Sequence, residues 1–164
     1  MKLAIMSDSH DNWQNLEKAI TRANEDNCEV LLFAGDLIAP PGVEILKKFK
    51  GIVNYIWGNN EMERVGITRS MDNTKNLKMC GDYFEGEIDH IKIFMSHQPK
   101  YAELAAKSGI FNLCIHGHDH TYHDEVIGSS ILLNPGEIFG YKSGNPGFVI
   151  FDTKTKKRTK ISLK

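Results

Sequence analysis

Short apolar runs alternate with helical patterns over the first third of the chain. Residues 2–7 form an apolar run of strand length, and residues 30–34 and 52–57 form two more. The first helical pattern follows Asn12, a residue type that caps helices, and the second follows Pro41, which suits a first helical turn. Because strands that alternate with helices pair in parallel, this part of the chain predicts an α/β sheet.

The rest of the chain is predicted to have shorter elements separated by turns. From residue 60 to 76 the sequence is polar, and we predict a loop with one short helix there. Asp89-His90 lies between two strand patterns and predicts a tight hairpin turn. The predicted strands are 83–88, 91–96, 112–115, 122–127, 130–133, 147–151 and 156–163, and the predicted helix is 100–107. We therefore expect residues 1–164 to form a single domain with about ten strands, in one large sheet or two packed sheets.

Composition and charge narrow the class of protein. The 164 residues include 20 basic and 21 acidic side chains, so the net charge of -1 provides no overall positive field for nucleic acid or for a membrane. Cys28, Cys80 and Cys114 are odd in number and far apart, which argues against both a disulfide framework and a thiolate metal site. The apolar stretch at the N-terminus is too short for a signal peptide. We expect a soluble, cytoplasmic protein with reduced thiols.

Metal-type ligands follow the predicted strands. The candidates are Asp8, His10, Asp36, Asn59, His97, His118 and His120. In an extended segment, side chains two residues apart face the same side, so Asp8 and His10 are predicted to face one ion, and His118 and His120 repeat the pattern. Gly117 permits close approach of the backbone.

The types of ligand indicate which metals would bind. Histidine, carboxylate and amide oxygen without cysteine favour manganese, iron, nickel or zinc over a structural tetrahedral zinc. Seven ligands are too many for one such ion. We therefore predict two divalent ions bridged by a carboxylate and a hydroxide.

The ordered motifs D-x-H, G-D, G-N-x-E, S-H and G-H-x-H span residues 8–120 and resemble those of the calcineurin-like metallophosphoesterase superfamily. The short chain is most similar to the small bacterial and archaeal phosphodiesterases of that superfamily. The resemblance implies an α/β fold, α+β by some definitions, that is a four-layer αββα sandwich of two mixed sheets. It also implies the distribution of ligands: Asp8, His10 and His120 on one ion, Asn59, His97 and His118 on the other, and Asp36 bridging the two. Manganese is the expected ion, with nickel, iron or zinc as alternatives.

Asn60 departs from the superfamily motif, G-N-H-[DE], which places a histidine at this position. In many members that histidine protonates the leaving oxygen or stabilises the phosphate, and an amide cannot transfer a proton at pH 7. We therefore expect Asn60 to contact the substrate phosphate without acting as an acid, and we expect a preference for diesters with good leaving groups. Glu61 either orients a metal ligand from behind it or is a solvated glutamate at a helix start.

Other polar residues near the motifs have plainer interpretations. His116 is expected to be structural, and His90 and His123 are expected at the surface. Residues 134–137 are interpreted first as a turn, with approach to the metals as the alternative. The basic C-terminus, from Lys154 onward, is interpreted as the exposed edge of a final hairpin rather than as a nucleic-acid site.

The expected function is hydrolysis of a small phosphodiester by a metal-bridging hydroxide. Two alternatives stay open: a metal-binding scaffold of the same fold that grips a protein, and a nuclease of the same superfamily. The near-neutral charge argues against the nuclease, and neither membrane association nor a particular oligomeric state is indicated, although a homo-oligomer is compatible with the sequence.

Overall fold

In a computed structural model, residues 1–72 and 74–164 are described, and together they form eleven strands and four helices in two sheets. In chain order the elements are β1 (Lys2–Met6), α1 (Trp13–Glu25), β2 (Val30–Phe33), α2 (Pro41–Leu46), β3 (Ile52–Tyr55), α3 (Arg64–Met71), β4 (Leu77–Met79), β5 (Tyr83–Ile88), β6 (Ile91–Ser96), α4 (Pro99–Ser108), β7 (Leu113–Ile115), β8 (His123–Ile127), β9 (Ser130–Asn134), β10 (Gly147–Asp152) and β11 (Arg158–Ser162).

The first sheet has the strand order β11-β10-β1-β2-β3-β4. Strands β1 to β4 run parallel, as the alternation of strands and helices predicts, while β10 and β11 are antiparallel to their neighbours. The side chain of Asn12 caps α1 by accepting a hydrogen bond from the amide of Asn15 at 3.2 Å. Because parallel strands end at the same edge, the residues that follow β1, β2 and β3 come together there.

The second sheet has the strand order β5-β6-β7-β9-β8. Strands β6, β7 and β9 are parallel, and hairpins add β5 and β8 at the two edges. Asp89 and His90 form the predicted turn between β5 and β6 with φ of 47° and 65°, as required of the central residues of a tight hairpin turn.

The largest buried apolar cluster lies between the first sheet and helices α1 to α3, a second lies between the two sheets, and a third lies under α4. Along β1, Leu3 and Ile5 pack towards the second sheet, whereas Ala4 and Met6 pack towards α1. On the outer face of the second sheet, Ala102 and Ala106 of α4 pack against Cys114 and Leu132. These contacts complete the αββα layering that the resemblance implies.

One strand in the structure is absent from the predicted elements. The three-residue strand β4 directly follows the polar stretch of residues 60–76 and is too short to show a pattern of its own. The predicted short helix there is confirmed as α3, while Asn73, within the same stretch, lies outside the described residues. In the described ranges, each helix is too short or too polar to cross a bilayer.

Candidate metal centre

The seven candidate ligands meet where parallel strands of the two sheets end. Asp8, Asp36 and Asn59 follow β1, β2 and β3 of the first sheet. His97 follows β6, and His118 and His120 follow β7, in the second sheet. The two sheets therefore bring ligands to one place from opposite sides.

Asp8 and Asp36 are the centres of two overlapping groups. Oδ1 of Asp8 lies 3.7 Å from Nε2 of His10 and 3.6 Å from Nε2 of His120. Oδ2 of Asp36 lies 3.3 Å from Nε2 of His10 and 3.5 Å from Nε2 of His97. Ligand atoms about 2.1 Å from one ion lie roughly 3–3.5 Å from one another, so these spacings suit metal coordination.

Asn59 brings a third set of atoms together. Its Oδ1 lies 3.0 Å from Nε2 of His97 and 2.8 Å from Nδ1 of His118. Because His97 is close to both Asn59 and Asp36, this set is continuous with the group around Asp36. The geometry thus contains the two three-residue sets that the resemblance implies, with Asp36 between them.

The site also contains buried atoms that need a partner. Among the residues that the structure describes, Oδ1 of Asp8 and Nε2 of His10 are the buried side-chain polar atoms without a hydrogen bond. Burying a carboxylate oxygen and an imidazole nitrogen unpaired is unfavourable, and both atoms face the same point. A divalent cation there would satisfy both of them, and carboxylate, imidazole and amide oxygen are suitable donors for manganese, iron, nickel or zinc. The residues therefore fit a metal centre.

Groups behind the ligands hold two of the imidazoles in place. Nδ1 of His97 lies 2.7 Å from the carbonyl oxygen of Ala34, and Nδ1 of His120 lies 2.6 Å from Oε2 of Glu137. Glu137 is fully buried, and its other carboxylate oxygen accepts hydrogen bonds from the backbone and hydroxyl of Ser143 at 2.6 and 2.7 Å. Burial raises the pKa of Glu137, but the bonds from Ser143 and His120 outweigh it and hold this pKa below its ordinary value. Both imidazoles are thus positioned with Nε2 towards the site.

Glu137 was not assigned a role from the sequence. It ends the 134–137 segment, and the alternative interpretation of that segment, as a loop that approaches the site, is the one that the structure supports. The available signal was an acidic residue after a proline-glycine turn that directly follows a buried strand.

Asp36 carries its negative charge in a strongly stabilising environment. Burial raises its pKa, but His97, the side chain of Asn60 and the backbone of Asn60 together hold the pKa well below its usual range. For His97, burial lowers the pKa, but Asp36 and Asp8 overcome this and raise it to about 9. In the protein without metal, the buried carboxylates therefore attract positive charge to this point.

Asn60 contacts the central carboxylate directly. Its Nδ2 donates a hydrogen bond to Oδ2 of Asp36 at 2.7 Å, and its backbone N–H donates to Oδ1 at 2.9 Å. Asn60, which stands where the motif has a histidine, thus holds the carboxylate of Asp36 in place with two hydrogen bonds.

Glu61 is buried rather than solvated, so the interpretation of a solvated glutamate at a helix start is wrong. Its carboxylate accepts hydrogen bonds from the Tyr55 hydroxyl at 2.6 Å, the Gly58 amide at 2.6 Å and the Leu37 amide at 3.0 Å. Leu37 follows Asp36, and Gly58 precedes Asn59. Glu61 therefore ties together the two backbone segments that carry these ligands.

The local backbone differs from the extended segments expected around the D-x-H and H-x-H motifs. Asp8 and His10 have φ of 55° and 41°, and His118 and His120 have φ of 71° and 60°, all in the left-handed region. The chain turns sharply after β1 because the amides of Ser9 and His10 both donate to the carbonyl of Asp36, at 3.0 and 3.1 Å. His118 and His120 consequently reach different groups of ligands rather than one ion.

The close approach expected at Gly117 is confirmed, because a Cβ there would overlap Oγ of Ser7 and lie 2.6 Å from Oδ2 of Asp8. Among the remaining histidines, His116 is buried, and burial lowers its pKa, which fits the structural role expected for it. His90 and His123 are exposed, as expected.

Comparison with known proteins places this site in a family context. Residues 1–156 match the model of the calcineurin-like phosphoesterase superfamily domain. Phosphodiesterase MJ0936 of Methanocaldococcus jannaschii is 34% identical, with 99% of each chain covered.

Solved structures show the same fold. A structure described as that of a novel archaeal phosphodiesterase superposes with a TM-score of 0.92 at 32% identity and covers 99% of both chains. The phosphoesterase YfcE from E. coli superposes with a TM-score of 0.73 at 17% identity over the full length of both chains.

Proposed function

Because the chain belongs to the calcineurin-like phosphoesterase superfamily, we propose that it is a phosphodiesterase that uses two divalent metal ions to hydrolyse a small phosphodiester. The full-length similarity to an archaeal phosphodiesterase supports the choice of diester. The observation that carries the proposal is the convergence of seven ligand side chains around the unpaired buried atoms of Asp8 and His10. A pure protein-interaction module has no evident need for such an arrangement, which is unfavourable in the absence of a cation.

The ligand sets suggest how the ions would be held. Asp8, His10 and His120 would hold one ion, Asn59, His97 and His118 the other, and Asp36 both. Bound there, two manganese ions, or nickel, iron or zinc in their place, would supply an activated water at neutral pH and positive charge for the phosphate.

The protein's own residues fix the protonation of the imidazoles. Ala34 offers a carbonyl oxygen to Nδ1 of His97, so with a metal ion bound the imidazole would keep its proton on Nδ1 and turn the lone pair of Nε2 towards the ion. Glu137 fixes Nδ1 of His120 in the same way. With neutral imidazoles, the carboxylates of Asp8 and Asp36 are the negative groups that balance the ions.

Asn60 has a free N–H for the substrate. A side-chain amide has two N–H groups, and one of them donates to Asp36. The other can donate to a phosphate oxygen, which gives Asn60 the binding role expected from the sequence. Because an amide cannot protonate a leaving oxygen, we expect weakly basic leaving groups, such as aryl oxides, to depart fastest.

The cellular setting follows from the thiols. Cys28, Cys80 and Cys114 are free cysteines in the structure. Free thiols are typical of a reducing compartment, so we propose a cytoplasmic location.

The test is reconstitution with defined metals. The purified protein is stripped of metal, reloaded with manganese, nickel, zinc or magnesium, and assayed on bis(4-nitrophenyl) phosphate and on 4-nitrophenyl phosphate. We expect the diester to be hydrolysed faster than the monoester, and Asp36→Ala and His97→Ala to lose this activity while Lys92→Gln, at an exposed position on β6, keeps it.

Three results would count against the proposal. Activity that survives in both Asp36→Ala and His97→Ala would exclude the two-metal site as the catalytic centre. Absence of activity with every metal would favour the scaffold instead. Affinity for single- and double-stranded DNA that falls steeply with salt would point to the nuclease.

A further inference from the structure

A cleft of about 350 Å³ opens directly beside the metal centre. Asn59 and His97 form part of its lining, so a phosphate held by the ligands would have one substituent within reach of it. The side walls include Trp57, Arg64 and Tyr101. The volume lies in the range of small-molecule sites, about 300–1,000 Å³.

Arg64 forms a flat, fixed surface on one wall. Its guanidinium carbon lies 5.1 Å from the centre of the Trp57 ring, and its Nη2 donates to the carbonyl of Gly58 at 3.3 Å. The Trp57 ring is itself fixed, edge-on to Tyr55 with ring centres 5.5 Å apart. The guanidinium is therefore held in place by Trp57 and by Gly58, the residue before the ligand Asn59. Half of the Arg64 side chain is still exposed.

The lining of the cleft also includes an exposed aromatic ring. Tyr101 lies on the first turns of α4, three residues beyond the N-cap, and it is 58% exposed. The cleft therefore has both an exposed aromatic ring and a fixed guanidinium in its lining. This combination suits a ligand with a planar group. Aromatic rings stack on aromatic faces and on guanidinium planes.

We propose that this cleft binds an aromatic ring esterified to the substrate phosphate, in contact with Arg64 and Tyr101. The inference rests on the proposed function, and it specifies the substrate class as aryl diesters rather than diesters of simple alcohols. A second phosphate is a poorer occupant, because Asp82 already lies 4.0 Å from Nη1 of Arg64 and offsets part of its charge.

The experiment compares phenylphosphonate with methylphosphonate on the manganese-loaded protein. Neither compound has a P–O–C bond to hydrolyse, so both bind without turnover. Affinities are measured by calorimetry and, independently, as inhibition constants against methyl 4-nitrophenyl phosphate. Methylphosphonate reports binding to the ions, and the phenyl-to-methyl ratio of affinities reports the cleft.

We expect phenylphosphonate to bind about 5- to 10-fold more tightly, the size of one aromatic stacking contact. Arg64→Lys keeps the charge but removes the planar surface, and Tyr101→Leu removes the ring. Each of these two variants is expected to reduce the ratio to about 2 or less, whereas Tyr101→Phe retains the ratio. Lys92→Gln changes an exposed residue of β6 that does not line the cleft, and it serves as the control that should leave the ratio unchanged.

Several results would overturn the inference. A ratio near 1 in the unmutated protein, or an unchanged ratio in both Arg64→Lys and Tyr101→Leu, would show that no ring is bound in the cleft. A ratio that Arg64→Lys keeps and Arg64→Gln loses would show recognition by charge alone. If the calorimetric ratio is as expected but no diester is hydrolysed with any metal, the proposed function fails and the cleft stands as a binding site.

Discussion

Nδ1 of His120 lies 2.6 Å from Oε2 of Glu137, so a buried carboxylate fixes the imidazole while its Nε2 faces Asp8 at 3.6 Å. Replacing that carboxylate by an amide keeps the shape but leaves the imidazole less basic and less firmly oriented. We expect Glu137→Gln to weaken binding of one metal ion by about 10- to 100-fold. Titration of the metal-free protein against a competing chelator measures this. Glu125→Gln, at an exposed position of β8, is the matched control, and an affinity equal in both variants would contradict the role of Glu137.

Substitution of Asn60 tests whether the chain lacks a side chain that protonates the leaving oxygen. Asn60→His supplies a group that can protonate a leaving oxygen, so we expect hydrolysis of diesters with alkyl leaving groups to increase by up to about 10²- to 10⁴-fold. Diesters with aryl leaving groups need no acid and are expected to change much less. The two rates are measured with the metal content of each variant verified. Equal effects on the alkyl and aryl substrates, with metals still bound, would show that position 60 does not influence leaving-group departure.

The Tyr55 hydroxyl donates a buried hydrogen bond to Glu61 at 2.6 Å. Tyr55→Phe removes this donor while the amides of Gly58 and Leu37 remain on the carboxylate, so we expect the free energy of unfolding to fall by about 1.5–3 kcal/mol. Urea denaturation measures the change. Tyr141→Phe, at a residue that is 81% exposed, is expected to stay within about 0.5 kcal/mol. If both variants were equally stable, the Tyr55–Glu61 bond would be of no consequence for stability.

The buried thiols predict a loss of stability at high pH. Burial raises the pKa of Cys28 and of Cys114 to about 11, from 9.0 for an accessible thiol. The folded state therefore keeps protons that the unfolded state releases, so this stabilisation is complete below pH 9 and is lost as the pH rises to about 11. Since one pKa unit corresponds to about 1.4 kcal/mol, each thiol contributes on the order of 3 kcal/mol.

Denaturant titrations between pH 8 and 11 on the unmutated protein and on Cys28→Ala/Cys114→Ala separate this effect from the titration of tyrosines. The double variant is expected to show a shallower decline. Parallel pH profiles in the two proteins would mean that the thiols do not contribute to the decline.

Much of the fold and of the ligand set was predictable because it depends on local sequence patterns. Apolar runs of strand length, separated by amphipathic segments, identify β1, β2 and β3 and their parallel pairing. The ligands themselves are recognisable because each follows such a run. What these patterns do not contain is the division of the strands between two sheets, which is decided by contacts between distant segments.

The features that escaped prediction have specific physical causes. Strand β4 has three residues, too few to show a periodicity, and it is defined by pairing with β3. The left-handed backbone of Asp8 and His10 is set by hydrogen bonds to the carbonyls of Gly35 and Asp36, in the loop that follows β2. The contact of Glu137 with His120 joins two loops, so although the local sequence singles out an acidic residue after a turn, it does not identify the imidazole that this residue contacts.

The candidate ligands come from both sheets, which affects how the two sheets are held together. Asp8, Asp36 and Asn59 belong to the first sheet, and His97, His118 and His120 to the second, so bound ions would act as a cross-link between the two halves of the sandwich. At the opposite edge, Asp89 in the β5–β6 turn already joins the sheets by accepting hydrogen bonds from Thr153 at 2.5 Å and the N-terminal amine at 3.3 Å. The metal edge has such bonds as well, among them the one between Nδ1 of His97 and the carbonyl oxygen of Ala34, so bound ions would strengthen a junction that the protein already makes.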